Sequence, residues 1–318
     1  MKKIFSLSLS LVAALMLAMW SSQASAIDLA HYNVGQLVPV ALQGPGVDTL
    51  VGLTFTTTAT TPGLIHWSYF DKNSNHQYDG VLPATNNDYV PFSWHQIAGS
   101  NFVGQEGYLV FTVDNGLGQI DTQSKITANA VLVDTTSIGH DAVFVPTIPL
   151  AVSDYYNISA TGIAAMDKNS IQKLSYAPTH GQTLDIRYWI DPASGADTFV
   201  KIWSVCDVTQ GQQSLGKVMP YTVIIYNDAE IGTSTNIFMQ NQELNTVHVS
   251  DNMAPNGIAH PSNYVDGFIR WMLPTTNTCN LTVNPAELND MVIFSLVSSN
   301  TVGAMQTMIA GQQAPVLP

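Results

Sequence analysis

The segment Asp71-Lys-Asn-Ser-Asn-His-Gln-Tyr-Asp-Gly80 places oxygen-bearing side chains at Asp71, Asn73, Asn75 and Asp79, with Gln77 among them to offer a main-chain carbonyl. Alternating oxygens on a tight loop suit a hard cation, which takes about six to eight oxygen ligands. Asp71, Asn73, Asn75, Gln77 and Asp79 are therefore the candidate calcium ligands, and calcium is the only cofactor the residues suggest. The competing reading is an Asx-rich hairpin loop after the strand ending at Phe70, since Asn and Asp close turns on their own backbone without an ion.

Over these residues the spacing resembles the calcium loops of dockerin-like, thrombospondin type 3 and EF-hand-like proteins. That resemblance implies a weak site of extracellular type. It departs from the EF-hand pattern at His76, which stands where glycine makes the sharp turn, and at Leu82, which stands where the bidentate glutamate belongs.

Other chemistry is harder to assemble. A glycosidase needs two carboxylates facing each other across a cleft, and Glu106, Glu230 and Glu243 are the glutamates to watch. The eight histidines include no His-x-His pair and no His-Glu-x-x-His, and no cysteine adjoins any of them, so zinc catalysis has no support. His66-Trp67 and Trp94-His95 read as strand residues packed on one face. The chain holds no Gly-x-Ser-x-Gly elbow, and no Gly-x-x-x-x-Gly-Lys phosphate loop completed by Ser or Thr, since Val218 follows Gly216-Lys217. Aromatic residues at Trp67, Tyr69, Tyr78, Tyr89, Trp94, Tyr108, Trp189, Trp203 and Trp271 would make a sugar-stacking platform if they faced outward, and a sandwich core if they faced inward.

The elements that must position these residues are strands. Short runs rich in Val, Ile, Thr and aromatics, bounded by Gly, Pro, Asn and Asp, recur at Leu50–Thr57, Leu64–Phe70, Tyr108–Val113, Ala130–Val133, Ala142–Val145, Leu184–Ile190, Phe199–Val205, Tyr221–Tyr226, Thr246–Val249, Phe268–Leu273 and Met291–Val297. The order Gly107–Phe111, Ala130–Asp134, Ala142–Val145 is echoed by Gly267–Trp271, Met291–Phe294, Ala304–Thr307. Upstream, Leu53–Thr57 with Leu64–Phe70 is matched to Leu184–Trp189 with Phe199–Ser204. The expectation is an all-β chain of two tandem antiparallel β-sandwich domains, Ig-like or jelly-roll-like. They span 27–155 and 181–310, with a connector at 156–180 that has room for one short helix and a tail at 311–318. A membrane β-barrel would need alternating segments of about ten residues with short turns, and these strands are shorter and irregularly spaced.

Residues 1–26 read as a cleaved signal peptide, with Lys2-Lys3 as a positive start, Ile4 to Trp20 as the apolar run and Ala24-Ser-Ala26 as the cleavage site. Cys206 and Cys279 are the only cysteines, and in an oxidising compartment their expected state is a disulfide. Closing a loop of about 74 residues would stabilise the fold by roughly 4 kcal/mol. Only 10% of the residues are charged, and the net charge is −13. Loss of the leader leaves eight basic residues against 23 acidic ones, a net charge of −15. Such a chain is repelled by phosphate backbones and anionic surfaces, which excludes nucleic acid as a partner, and no membrane span is expected in the mature chain. The sequence points to an exported bacterial structural or interaction module, secreted or held in the periplasm or at the cell surface, with a surface protein or polysaccharide as partner. The alternatives are a carbohydrate-binding module and a polysaccharide hydrolase with a carboxylate pair that no motif reveals.

Overall fold

In a computed structural model of the chain, residues 31–136, 141–155, 171, 174, 183–204, 219–241, 243–253, 256–273, 291–299, 301 and 304–313 are described. The expected leader, both cysteines, most of the 156–180 connector and the end of the tail lie outside them. No described helix is long and apolar enough to cross a membrane.

The described residues are built almost wholly into antiparallel strands. The first nine are β1 (Gly35–Ala41), β2 (Val47–Thr57), β3 (Gly63–Asp71), β4 (His76–Ala84), β5 (Asp88–Ser93), β6 (Gly107–Asp114), β7 (Ser124–Asp134), β8 (Asp141–Val145) and β9 (Ile148–Leu150). One short helix, α1 (Trp94–Ala98), follows β5, and the Ser93 hydroxyl caps it by accepting from the Gln96 N–H. The second nine are β10 (Thr183–Trp189), β11 (Ala196–Ser204), β12 (Met219–Asn227), β13 (Gly232–Met239), β14 (Leu244–His248), β15 (Asp266–Met272), β16 (Met291–Ser299), β17 (Ala304–Ile309) and β18 (Gly311–Gln313).

These strands form four sheets, ordered β4-β3-β6-β1-β9 and β5-β2-β7-β8 in the first half, and β13-β12-β15-β10-β18 and β14-β11-β16-β17 in the second. Adding nine to each strand number of the first pair reproduces the second, so the two halves share one topology. The correspondence of β6, β7 and β8 with β15, β16 and β17 is as the sequence patterns suggest. The upstream match differs by one strand, because β2 and β3 correspond to β11 and β12, while the partner of β10 is β1. Pro39 hides β1 in the sequence, since proline cannot donate to a ladder and demotes a run as a strand. Pairing tolerates it at an irregularity, where Val38 is opposite Leu109 and Ala41 is opposite Gly107.

Burial patterns show which layer each strand occupies. Strand β2 alternates buried Val51, Leu53 and Phe55 with more exposed neighbours, as a strand with one wet face does. Strands β1 and β6 are buried along their full length, and β16 nearly so. Their continuous apolar runs follow from being covered on both faces. In β11 and β16, Val200, Ile202 and Ile293 join the core of the second half, whereas Trp203, Val292, Phe294 and Leu296 belong to the core of the first. The β14-β11-β16-β17 sheet therefore packs between the other sheet of its own half and the first half. Tyr108 and Trp203 mark the contact, with an edge-on ring pair at 5.5 Å.

Candidate functional site

The calcium-loop candidate closes on itself. Asp71 Oδ1 accepts from the backbone N–H of Asn73 (2.8 Å) and Asn75 (3.0 Å), and Oδ2 accepts from the side-chain amides of Asn75 (3.0 Å) and Gln77 (3.1 Å). The Ser74 N–H returns to the Asp71 carbonyl at 2.9 Å. This is the Asx-turn arrangement, in which the amides of Asn75 and Gln77 present nitrogen to Asp71. Asp79 stands within β4, opposite Ser68, and its carboxylate meets His66 (3.4 Å) and His76 (3.5 Å). The structure thus brings Asp71, Asn73, Asn75 and Gln77 together around one carboxylate and gives Asp79 a different set of partners. Strand β4 escapes a sequence reading because Asp79, Gly80 and Pro83 all look like loop residues.

The loop has another use. Ser74, with φ at 58°, turns its fully buried hydroxyl inward. There it contacts the Tyr108 hydroxyl at 2.7 Å and donates to Glu243, which immediately precedes β14. The Leu244 N–H reaches the Lys72 carbonyl at 3.3 Å. Burial raises the Tyr108 phenol well above its ordinary pKa, and the Glu243 charge adds to the shift. A second polar contact lies alongside. Lys201 Nζ donates to Glu106 and to the Thr246 hydroxyl (3.0 Å), while Thr246 donates to the other Glu106 oxygen at 2.8 Å. Burial pushes the Glu106 carboxyl upward, but the Lys201 charge and the hydrogen bonds from Lys201 and Thr246 outweigh it and hold the group below its ordinary range. Both contacts run from the first half to the second. A glutamate whose two oxygens are engaged this way stays ionised and is poorly suited to protonating a leaving group. Glu230, the third glutamate noted in the sequence, occupies the β12–β13 turn with φ at 60°.

His66 sits between two carboxylates. Its Nε2 lies 3.4 Å from Asp79 and its Nδ1 lies 3.8 Å from Asp114, whose Oδ1 accepts from the N–H groups of Gly116 (2.7 Å) and Gly118 (3.1 Å). The imidazole is buried, and its Nε2 has no hydrogen-bond partner, nor do the neighbouring Ser68 and Thr112 hydroxyls. Burial lowers the His66 pKa, against the opposing pull of Asp79 and Asp114. Among the described residues, no group of three or more His, Cys, Asp or Glu side chains is arranged to hold a metal ion. His95, the other histidine beside a tryptophan, pairs instead with Gln43 Oε1 at 3.0 Å.

One Ser-His-Asp trio does form. His248 Nε2 contacts Asp197, the Ser250 hydroxyl donates to the same Asp197 oxygen at 2.8 Å, and Ser250 Oγ lies 3.1 Å from that same Nε2. A hydrolytic relay places the acid on one ring nitrogen and the nucleophile on the other, so that the base can take the nucleophile's proton. Here both partners share Nε2 and the serine proton points at the carboxylate. The Phe199 ring stacks on His248 at 4.5 Å, completing a packed polar corner.

The tryptophans divide clearly. Trp67, Trp94, Trp203 and Trp271 are buried, and Trp67 and Trp94 sit in an aromatic cluster with Tyr69, Phe92 and Phe102. On the outer face of the β13-β12-β15-β10-β18 sheet, Tyr226 and Phe268 stack at 4.7 Å, with Trp189 half-buried on β10. Arg270 lies over both rings, at 5.6 Å from Tyr226 and 5.3 Å from Phe268. The chain has only two arginines, and both belong to this sheet. Arg270 forms a two-pronged bridge to Asp185 (2.8 and 3.1 Å), and Arg187 bridges to Asp266 at 2.5 Å. No signal in the sequence distinguished these aromatics from the core ones, although the alternation Asp185, Arg187, Trp189 against Leu184, Ile186, Tyr188 is a two-residue period that sorts them by face.

No protein-family model matches this chain, and no curated protein matches it either.

Proposed function

We propose that the chain is an exported, non-enzymatic structural or interaction module of the bacterial envelope or extracellular space, made of two β-sandwich domains of one topology. The observation that carries this reading is the pair of polar contacts joining the halves. Glu106 and Glu243, two of the glutamates a polysaccharide hydrolase would have used, are engaged with Lys201, Thr246 and Ser74 across that junction. Side chains fixed in this way support a rigid body that presents its outer faces to a partner. Calcium at the Asp71 loop would require Asn75 to turn its amide so that oxygen replaces nitrogen. The test is reducing-end release from a panel of polysaccharides by the purified chain and its Glu106→Gln variant. No turnover is expected from either, and a saturable activity lost on substitution would overturn the proposal. N-terminal sequencing of the protein recovered from the periplasm or medium should begin at Ile27, and a retained leader would refute export by cleavage.

A second reading, carbohydrate binding without catalysis, is favoured by Trp189, Tyr226, Phe268 and Arg270 on one outer face. Its difficulty is that Tyr226 and Phe268 stack on one another, which leaves less ring face for a sugar. Glycan-array binding abolished by Trp189→Ala would establish it over the first.

A further inference from the structure

The sheet edges are treated unequally. Strand β4 carries Asp79, Pro83 and an irregular register beside Tyr69, and β5 carries Asp88 and Pro91. Strands β9 and β18 are three residues each. Strand β14 is bridged by Gly257 at His248, and β8 is met by β17, whose Thr307 hydroxyl donates to the Phe144 carbonyl. Short length, charge, proline, bulges and cover are the devices that keep strand edges from pairing with other chains. Strand β13, Gly-Thr-Ser-Thr-Asn-Ile-Phe-Met, has none of them among the described residues. It is eight residues long, uncharged, free of proline, and in unbroken register with β12 from Met219↔Met239 to Tyr226↔Gly232.

The ladder fixes which backbone groups of β13 face away from β12. The Asn227 N–H donates to the Ile231 carbonyl, and bonded and non-bonded pairs alternate along an antiparallel ladder. Thr233, Thr235, Ile237 and Met239 therefore bond to β12, and Gly232, Ser234, Asn236 and Phe238 direct their N–H and C=O groups away from it. Pro220, which has no N–H to offer, stands opposite Phe238, a non-bonded position as this assignment requires. Gly232, Ser234 and Asn236 are exposed.

We propose that β13 is a homotypic docking edge, where two copies of this chain pair their β13 strands antiparallel about a two-fold axis at Thr235, joining two five-stranded sheets into one. The strand is self-complementary in that register. Ser234 of each copy falls opposite Asn236 of the other, two polar side chains that can hydrogen-bond across the strands. Gly232 falls opposite Phe238, and Thr235 meets its own copy. All four outward-facing residues then enter hydrogen-bonded pairs. The absence of charge matters because the copies are alike, at −13 each, and any ionised residue near the axis would oppose itself.

The test is sedimentation equilibrium of the full chain across micromolar concentrations. The expected result is a mass that rises from one chain to two. Ser234→Pro removes an N–H that β12 does not use, so it should hold the mass at one chain while the circular dichroism spectrum and melting midpoint stay at wild-type values. Asn236→Lys keeps the backbone donor and sets two lysines diagonally across the axis, raising the dissociation constant by about tenfold or more. Oxidation of Thr235→Cys should yield a covalent dimer beyond any formed by wild type. A wild-type mass of one chain throughout, or a dimer that survives both Ser234→Pro and Asn236→Lys, overturns the proposal.

Discussion

Replacing Lys201 with methionine tests the junction between the halves. The substitution keeps the length of the aliphatic stem but removes the charge that faces Glu106. Lys201 and Glu106 retain 9% and 23% side-chain exposure, so the carboxylate that is left cannot recover full hydration. Removing one partner of a buried pair costs about 3–5 kcal/mol, and the residual exposure of Glu106 with its surviving Thr246 hydrogen bond places the effect near the lower figure. At about 2–4 °C per kcal/mol for a chain of this size, Lys201→Met should lower the melting midpoint by roughly 6–12 °C. Adding Glu106→Gln removes the stranded charge, and the double variant should regain much of the loss, because an uncharged replacement of a buried pair is often close to neutral. Thermal melts followed by circular dichroism on the four members of the cycle measure this. A Lys201→Met midpoint within about 2 °C of wild type, or single-variant losses that simply add in the double variant, would refute the assignment of a buried lock.

Other outcomes follow from the same geometry. Because the folded-state pKa of His66 lies below its unfolded value of 6.5, the unfolded chain takes up a proton first as pH falls. Stability should decline below about pH 6.5, and His66→Asn should flatten that decline in denaturant titrations, whereas an unchanged slope counts against the buried neutral ring. Asp71 already accepts four N–H hydrogen bonds, so millimolar calcium or a chelator should leave the melting midpoint unchanged. A calcium-dependent rise would return the ion to the loop. Gly267 has φ at 157°, and a Cβ there would approach the Tyr226 carbonyl oxygen to 1.9 Å, so Gly267→Ala should cost about 3 kcal/mol or more through the forced separation of β12 and β15. Ser250 should resist fluorophosphonate labelling, since its proton is directed at Asp197, and labelling at that residue would contradict the reading of the trio.

The all-β character was legible in the sequence because β-branched and aromatic runs bounded by turn residues mark strands directly. The strands that escaped notice were edge strands with proline, such as β4 and β5, and the polar β13, whose Thr, Ser and Asn look like loop. The repeated strand order was half visible, through β6–β8 and β15–β17, and became misaligned upstream where Pro39 masks β1. Among the candidate ligands, the Asp71 cluster was legible because its partners are two to six residues away. The junction was not, since Glu106 meets Lys201 across 95 residues and Ser74 meets Glu243 across 169. Its one sequence trace is the continuous apolar run of β1, β6 and β16, which exceeds what a strand with one wet face requires.

The central claim is that the polar residues which look capable of chemistry instead lock the two halves of the chain into one body. Differential scanning calorimetry of the full chain tests it most directly. Because Trp203, Val292, Phe294 and Leu296 of the second half are part of the first core, the account predicts one transition whose calorimetric and van't Hoff enthalpies agree. Two resolved transitions in the wild-type protein, one for each half, would contradict it.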